Sequence, residues 1–154
     1  MNTARFLRTA AIVGVAALAP AAPALALGEV HHDGPPGAWG PPLQQLCTSP
    51  QAAVAAGYNI IVLTVLPDTF VGTPMPDAIY ALAGDDKVDG AGGDDVLCLG
   101  TGNDKGQGNA GNDAVFGEDG TDELYGGTGS DFLHGGPGAD ACNGGAGVNA
   151  FVSC

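Results

Sequence analysis

Aspartate recurs at nine-residue intervals along the second half of the chain, and its carboxylate is a hard oxygen ligand for cations. Nine consecutive blocks of nine residues run from Gly72 to Val152 without an insertion. The sixth place of the block is Asp in eight of the nine, and Asn149 holds it in the last. The aspartates of this column are Asp77, Asp86, Asp95, Asp104, Asp113, Asp122, Asp131 and Asp140. Such a column predicts binding of calcium, which takes six to eight oxygen ligands in flexible geometry.

Two further places of the block indicate how these aspartates are positioned. The fourth place is Gly in eight of the nine blocks, which is typical of a backbone that turns through conformations other residues avoid. The eighth place is apolar in eight of the nine, so a short strand around it would bury one side chain per block. The same frame extends back over two degenerate blocks, in which Asp68 and Asn59 hold the sixth place. The period therefore excludes random low complexity.

The pattern G-G-x-G-x-D-x-U-x resembles the RTX calcium-binding nonapeptide repeats. Residues 126–134, with the sequence GGTGSDFLH, match it at every fixed place. The resemblance implies an all-β fold, a parallel β-roll or right-handed β-solenoid that completes one coil every two repeats. It also implies that calcium is the cofactor, bound between stacked turns, and that the eight aspartates of the column are its ligands.

Aspartates on the same edge of such a roll are 18 residues apart, on strands about 4.8 Å from each other. Carboxylates at that spacing repel, and an ion between successive turns reverses the sign of the interaction. Magnesium demands a tighter octahedron and should compete poorly. Same-edge pairs with Asp at both ends predict up to seven calcium sites: 77/95, 95/113, 113/131, 86/104, 104/122, 122/140 and 68/86. The 68/86 site is doubtful because its first turn lacks Gly.

Some departures from the pattern bear on individual calcium sites. Gly106 leaves an inward eighth place empty, which predicts a gap or an irregular turn. Asn149 carries no charge, so the 131/149 pair should bind calcium poorly. Leu99 and Ala81 replace first-place glycines, which weakens the expectation at their sites.

The charge balance excludes nucleic acid as a partner. The 154 residues include 17 Asp and Glu but only 4 Lys and Arg, for a formal charge of −13, so too few cations are present to neutralise phosphates. A basic start at Arg5 and Arg8, an apolar stretch and a small-residue site at Ala26 predict a cleaved secretory signal peptide rather than a membrane span. Cleavage removes both arginines and no acid, which takes the charge to −15.

The sequence divides into five segments, and residues 27–53, which are left over before the repeats, are too few for a catalytic domain. Ser130, Asp131 and His134 are residue types found in catalytic sites. Asp131 belongs to the metal column, however, and His134 stands at an outward ninth place, so we expect no enzyme. The segments are a signal peptide (1–26), a Pro- and Gly-rich arm and cap (27–53), degenerate capping repeats (54–71), the calcium-binding roll (72–152) and a C-terminal cap (153–154).

Four cysteines in an exported chain favour two disulfides. Three connectivities are possible, and we favour Cys142 with Cys154, which would close the C-terminal end, and Cys47 with Cys98, which would fasten the N-terminal cap. A small buried hydrophobe is the alternative for Cys142.

The leading functional hypothesis is a secreted, extracellular protein that folds on binding calcium ions. The alternative is an adhesion or surface-interaction protein, in which the loaded roll is a rigid spacer and the arm with Trp39 contacts a cell-surface or protein partner.

Overall fold

The computed structural model describes residues 46–154, and these form short strands that pair in parallel. A helix, α1, spans Pro50–Ala55 and precedes the first strand. The strands are β1 (Asn59–Val62), β2 (Thr69–Val71), β3 (Asp77–Tyr80), β4 (Lys87–Asp89), β5 (Val96–Thr101), β6 (Lys105–Ala110), β7 (Ala114–Asp119), β8 (Glu123–Thr128), β9 (Phe132–His134), β10 (Ala141–Ala146) and β11 (Ala150–Val152).

Successive strands alternate between two sheets, as a solenoid of about five coils requires. The odd-numbered strands form a six-stranded sheet and the even-numbered strands a five-stranded sheet, each in coil order. Every pairing joins residues 18 apart, for example Ile79 with Leu97 and Phe70 with Val88. The all-β parallel β-roll that the resemblance implies is therefore confirmed.

The eighth-place side chains point between the sheets, because strand side chains alternate in direction. Ile79, Leu97, Val115, Leu124 and Leu133 are fully buried there. We call this cluster the inner core; its other buried members are Leu63, Ala81, Val88 and Leu99.

The gap predicted at Gly106 is wrong, because another side chain fills the space. Leu99 stands at a first place where the pattern has Gly, and it is fully buried in the inner core. A Cβ added to Gly106 would lie 2.9 Å from Cδ1 of Leu99 and 2.9 Å from Cγ1 of Val115. The two departures from the repeat thus compensate each other, the large residue at one place occupying the volume that the small residue at the other leaves free.

A second apolar cluster lies on the outer face of the six-stranded sheet. Seventh- and ninth-place residues of β3, β5 and β7 are buried against Leu46 and against Ala53 of α1. We call this cluster the outer core; its sheet members are Ala78, Tyr80, Val96, Cys98, Ala114 and Phe116. It adds buried apolar surface to the one inward side chain per repeat.

Both favoured disulfides are confirmed. Cys47 is bonded to Cys98, with their Cα atoms 5.5 Å apart, and fastens the cap to β5. Cys142 is bonded to Cys154, with their Cα atoms 5.8 Å apart, and joins β10 to the residues after β11. The first residues of the segment 54–71, expected to form degenerate capping repeats, are helical, since α1 includes Val54, and the first strand begins at Asn59.

The signal peptide predicted over 1–26 and the arm around Trp39 lie outside the described residues. In residues 46–154, no helix has the length and apolar character needed to cross a membrane.

Candidate metal centre

The strand register stacks the sixth-place residues into two columns, one at each sheet. The column along the six-stranded sheet contains Asn59, Asp77, Asp95, Asp113, Asp131 and Asn149. The column along the five-stranded sheet contains Asp68, Asp86, Asp104, Asp122 and Asp140. Members of a column are joined by direct hydrogen bonds. Apart from Asp68 and Asp140, the aspartates of the two columns are at most 2% exposed.

One carboxylate oxygen of each sixth-place aspartate from Asp86 onward is held by the backbone. The N–H of a sixth-place residue donates to Oδ1 of the sixth-place residue 18 positions later, as from Asp77 to Asp95 at 2.9 Å and from Asp86 to Asp104 at 2.7 Å. The same bond recurs at 2.7 to 3.0 Å along both columns and ends at Asn149 and Asp140. These bonds fix the orientation of each carboxylate, because its second oxygen must then point into the turn.

The second oxygen, Oδ2, is buried and has no hydrogen-bond partner in seven aspartates: Asp86, Asp95, Asp104, Asp113, Asp122, Asp131 and Asp140. An ionised carboxylate in this state is costly, since it has lost water and gained nothing in return. Each of the seven is the later member of one of the seven same-edge pairs counted in the sequence. The structure therefore provides one unsatisfied anionic oxygen for each predicted calcium site.

Burial raises the pKa values of these carboxylates because it disfavours the charged form. The pKa of Asp95 rises to about 8, and burial is the largest cause, with the charge of Asp113 adding to it. The pKa of Asp113 rises to about 7 and that of Asp104 to about 6 for the same reasons. The pKa values of Asp86, Asp122 and Asp131 are also raised, again chiefly by burial. The metal-free site thus favours a bound proton or a bound cation over a bare carboxylate.

Backbone carbonyl oxygens approach the unsatisfied carboxylate oxygens beside first-place glycines. A Cβ added to Gly117 would lie 2.6 Å from the carbonyl oxygen of Gly135 in the next coil, and closer still to Oδ2 of Asp122. Gly90 is similar: its added Cβ would meet Oδ2 of Asp95 and the carbonyl oxygen of the first-place Gly of the next coil. Oxygens from two coils therefore converge where only Gly leaves room, and this all-oxygen donor set fits calcium.

Within residues 46–154, no three Asp, Glu, His or Cys side chains come together as a metal cluster. A cation held here must accordingly take one or two carboxylates and complete its shell with carbonyl oxygens or water, which calcium does readily.

Two aspartates of the columns differ from the seven. Oδ2 of Asp77 accepts hydrogen bonds from the N–H and the hydroxyl of Thr73, and Oδ1 accepts one from Nδ2 of Asn59 at 2.9 Å. Oδ2 of Asp68 is held in the same way by Thr64. Asp77 was predicted as a calcium ligand, yet both of its oxygens already have protein partners.

A second row of side chains, at the fifth place of the repeat, also links successive coils by hydrogen bonds and was not predicted from the sequence; we call it the fifth-place ladder. Here Oδ1 of the earlier residue accepts from the N–H of the residue 18 positions later, as from Asn103 to Asp85 at 2.9 Å and from Asn112 to Asp94 at 2.8 Å. Asn112 in turn accepts from the N–H of Ser130 at 2.9 Å. The fifth-place ladder runs opposite to the sixth-place one, and together they set the spacing of the turns. The signal was the Asp or Asn at the fifth place of four successive blocks.

A family model described as the RTX calcium-binding nonapeptide repeat, in four copies, matches residues 71–106, 99–133 and 116–150. The chain belongs to this family. RTX nonapeptide repeats bind Ca²⁺ between the turns of the β-roll, which is where the seven unsatisfied oxygens of this RTX protein lie. No curated protein matches the chain.

Proposed function

We propose that this RTX protein is a secreted calcium-binding protein whose roll folds when several calcium ions bind between its turns. The observation that carries the proposal is the set of seven buried, unpartnered carboxylate oxygens. Left bare, they oppose folding by desolvation and by mutual repulsion. Calcium supplies the missing positive charge, and the folded state then becomes favourable.

The proposed ligands are the carboxylates of Asp86, Asp95, Asp104, Asp113, Asp122, Asp131 and Asp140, with backbone carbonyl oxygens of adjacent turns completing the shell. Asp77 contributes to the 77/95 pair mainly through its N–H, which orients Asp95. Oδ1 of Asn149 accepts from the N–H of Asp131, as the later aspartate of each pair does, but its amide brings no charge. We therefore place the strongest sites in the interior of the roll and the weakest at its C-terminal end.

Two disulfides support an extracellular location, because thiols remain reduced in the cytosol of most organisms. The N-terminal sequence supports export through a cleaved signal peptide. Mass spectrometry of the protein recovered from the medium of the producing cells tests this, since cleavage after Ala26 predicts a chain that starts at Leu27.

A non-catalytic role is part of the proposal. The three residue types singled out as a possible catalytic set have other contacts: the Ser130 N–H bonds to Asn112, and Oδ1 of Asp131 accepts from Asp113. The ring of His134 stacks on Phe132, with centroids 6.4 Å apart, on the outer face of the sheet.

The surface-interaction alternative has one supporting observation. The partly exposed rings of Phe132 and His134 extend the outer core toward the C-terminal end and offer an aromatic contact surface. Deleting residues 27–45 and measuring retention on cells separates the two functions. Loss of retention with calcium binding intact favours the spacer.

Far-UV circular dichroism of residues 27–154 tests the proposed function. We expect a largely disordered spectrum in chelator and a much stronger β spectrum at about 5–10 mM calcium, concentrations that exceed the weak affinities of extracellular sites. Equal concentrations of magnesium serve as the control and should produce little β signal. The same β signal with chelator as with calcium would refute the proposal.

A further inference from the structure

The first two turns of the roll replace the metal with protein hydrogen bonds. Oδ2 of Asp68 accepts from the N–H of Thr64 at 2.8 Å and from its hydroxyl at 2.7 Å. Oδ2 of Asp77 accepts from the N–H of Thr73 at 2.6 Å and from its hydroxyl at 3.0 Å. In the later turns of both columns the corresponding oxygen has no partner in seven aspartates.

The sequence of these two turns explains the difference. Both read Thr-x-x-Pro-Asp, at 64–68 and 73–77. From Leu82 to Gly145 the second place of each turn has positive φ, for example 75° at Ala91 and 72° at Glu118, but Thr64 and Thr73 at that place do not. The threonine N–H and hydroxyl therefore both reach the carboxylate four residues later, and a short local hydrogen-bonded turn forms.

The same end of the roll is fastened by contacts that need no metal. The hydroxyl of Tyr80 donates to the carbonyl oxygen of Leu46 at 2.6 Å. Leu46 and Ala53 are buried in the outer core, and the disulfide of Cys47 crosses from the cap to β5. At the opposite end, Phe151 is 50% exposed and Val152 is 42% exposed, so β11 has no comparable cover.

The satisfied end also presents the donors that the first calcium-dependent aspartates require. The N–H of Asp68 donates to Oδ1 of Asp86 at 2.7 Å, and the N–H of Asp77 donates to Oδ1 of Asp95 at 2.9 Å. Asp86 and Asp95 are the first aspartates of their columns with an unpartnered Oδ2. A folded N-terminal end would thus orient one carboxylate in each column before any ion binds.

We propose that residues 46–80 form a calcium-independent folding platform, from which the calcium sites fill toward the C-terminus. This inference rests on the proposed calcium-dependent folding and adds its direction. Each filled turn orders the N–H that orients the carboxylate 18 residues later, so binding at one site prepares the next. Because each coil contacts only its neighbours, folding of a solenoid can propagate from a preformed end in this way.

Amide hydrogen exchange of the full mature chain, with both disulfides intact, tests the platform. In chelator we expect slow exchange over 58–80 and fast exchange over 100–152. Thr64→Val combined with Thr73→Val should lower protection of 58–80 in chelator at least tenfold and raise the calcium concentration at half-folding. Thr101→Val combined with Thr128→Val is the matched control, because both threonines are exposed and make no bond to a sixth-place Asp.

The outcomes distinguish the platform from the proposed function. Fast exchange over 58–80 in chelator, with full protection in calcium, would overturn the platform and leave calcium-dependent folding intact. Full protection of the whole chain in chelator would overturn both. A Thr64/Thr73 variant that behaves like the control variant would show that the threonine hydroxyls do not support the platform, and would also overturn it.

Discussion

Replacing Asp113 with Asn should stabilise the metal-free roll and weaken the calcium-loaded one. Asp113 is fully buried, and its Oδ2 has no partner. Asn149 already demonstrates that the amide fits, since its Oδ1 accepts from the N–H of Asp131 at 2.9 Å as Asp113 accepts from Asp95. The neutral side chain keeps this bond and removes the buried charge.

The magnitude follows from the raised pKa of Asp113, which is about 7 in the roll against 3.8 for a free side chain. A difference of this size corresponds to about 4 kcal/mol, because each pH unit is worth about 1.4 kcal/mol. A carboxyl whose pKa is raised on folding contributes stability below its unfolded pKa and loses it as the pH rises through the folded value. The gain from Asp113→Asn is therefore small at pH 4 and reaches about 4 kcal/mol at pH 8.

The assay is a sucrose titration of the metal-free protein followed by circular dichroism, since excluded osmolytes favour the compact state. At pH 8 the variant should fold at a lower sucrose concentration than the wild type, and at pH 4 the two should nearly coincide. Asp119→Asn is the control, because it removes the same charge from an exposed position. Equal midpoints for variant and wild type at pH 8, or an equal gain at both pH values, would refute the reasoning.

The same substitution should reduce calcium affinity more than Asp77→Asn does. Asp113 belongs to two interior pairs and has an unpartnered oxygen, whereas both oxygens of Asp77 have protein partners. Calorimetric titration measures the difference, and equal losses would count against the two-column arrangement of sites.

Further substitutions test the packing, the turns and the cap. In calcium, Leu99→Ala should lower the free energy of unfolding, measured in urea, by about 2–5 kcal/mol. Adding Gly106→Leu to Leu99→Ala should recover part of the loss. No recovery would mean that the two side chains do not share one volume. Gly111→Ala should prevent calcium-induced folding, because φ is 142° and the added Cβ would collide with the backbone of the preceding coil. Gly92→Ala is the control: its Cβ would lie 3.6 Å from the nearest neighbour, and it should change stability by less than about 0.5 kcal/mol. Cys47→Ser should lower the thermal stability of the loaded protein by about 2–4 kcal/mol, and an unchanged melting temperature would argue that the cap contributes nothing.

The period of the sequence predicted the roll because each place of the repeat has one structural role. The Asp at the sixth place and the apolar residue at the eighth carry the resemblance to the RTX repeats, and that resemblance implied the coil length, the strand direction and the two columns. The disulfides followed because Cys47 and Cys98 lie near the two elements that a cap must join. The repeat itself is visible as spacing in the sequence, whereas its folding into a roll was implied by the resemblance.

The features that the sequence did not predict involve residues that depart from the repeat. Gly106 taken alone predicts a gap, but Leu99, seven residues earlier, supplies the missing volume. Only the coil geometry brings these two residues together. The role of Thr73 depends on a φ that differs from the same place in later turns, which the residue type alone does not reveal. The outer core requires knowing that α1 lies over the six-stranded sheet, and nothing in the nine-residue frame specifies a residue outside it.

The number of calcium ions bound per chain, measured by calorimetric titration with circular dichroism on the same samples, tests the central claim most directly. The seven unpartnered carboxylate oxygens predict up to seven ions, with the β signal rising along the same titration. A chain that binds only one or two ions, or whose β signal is complete before calcium is added, would contradict it.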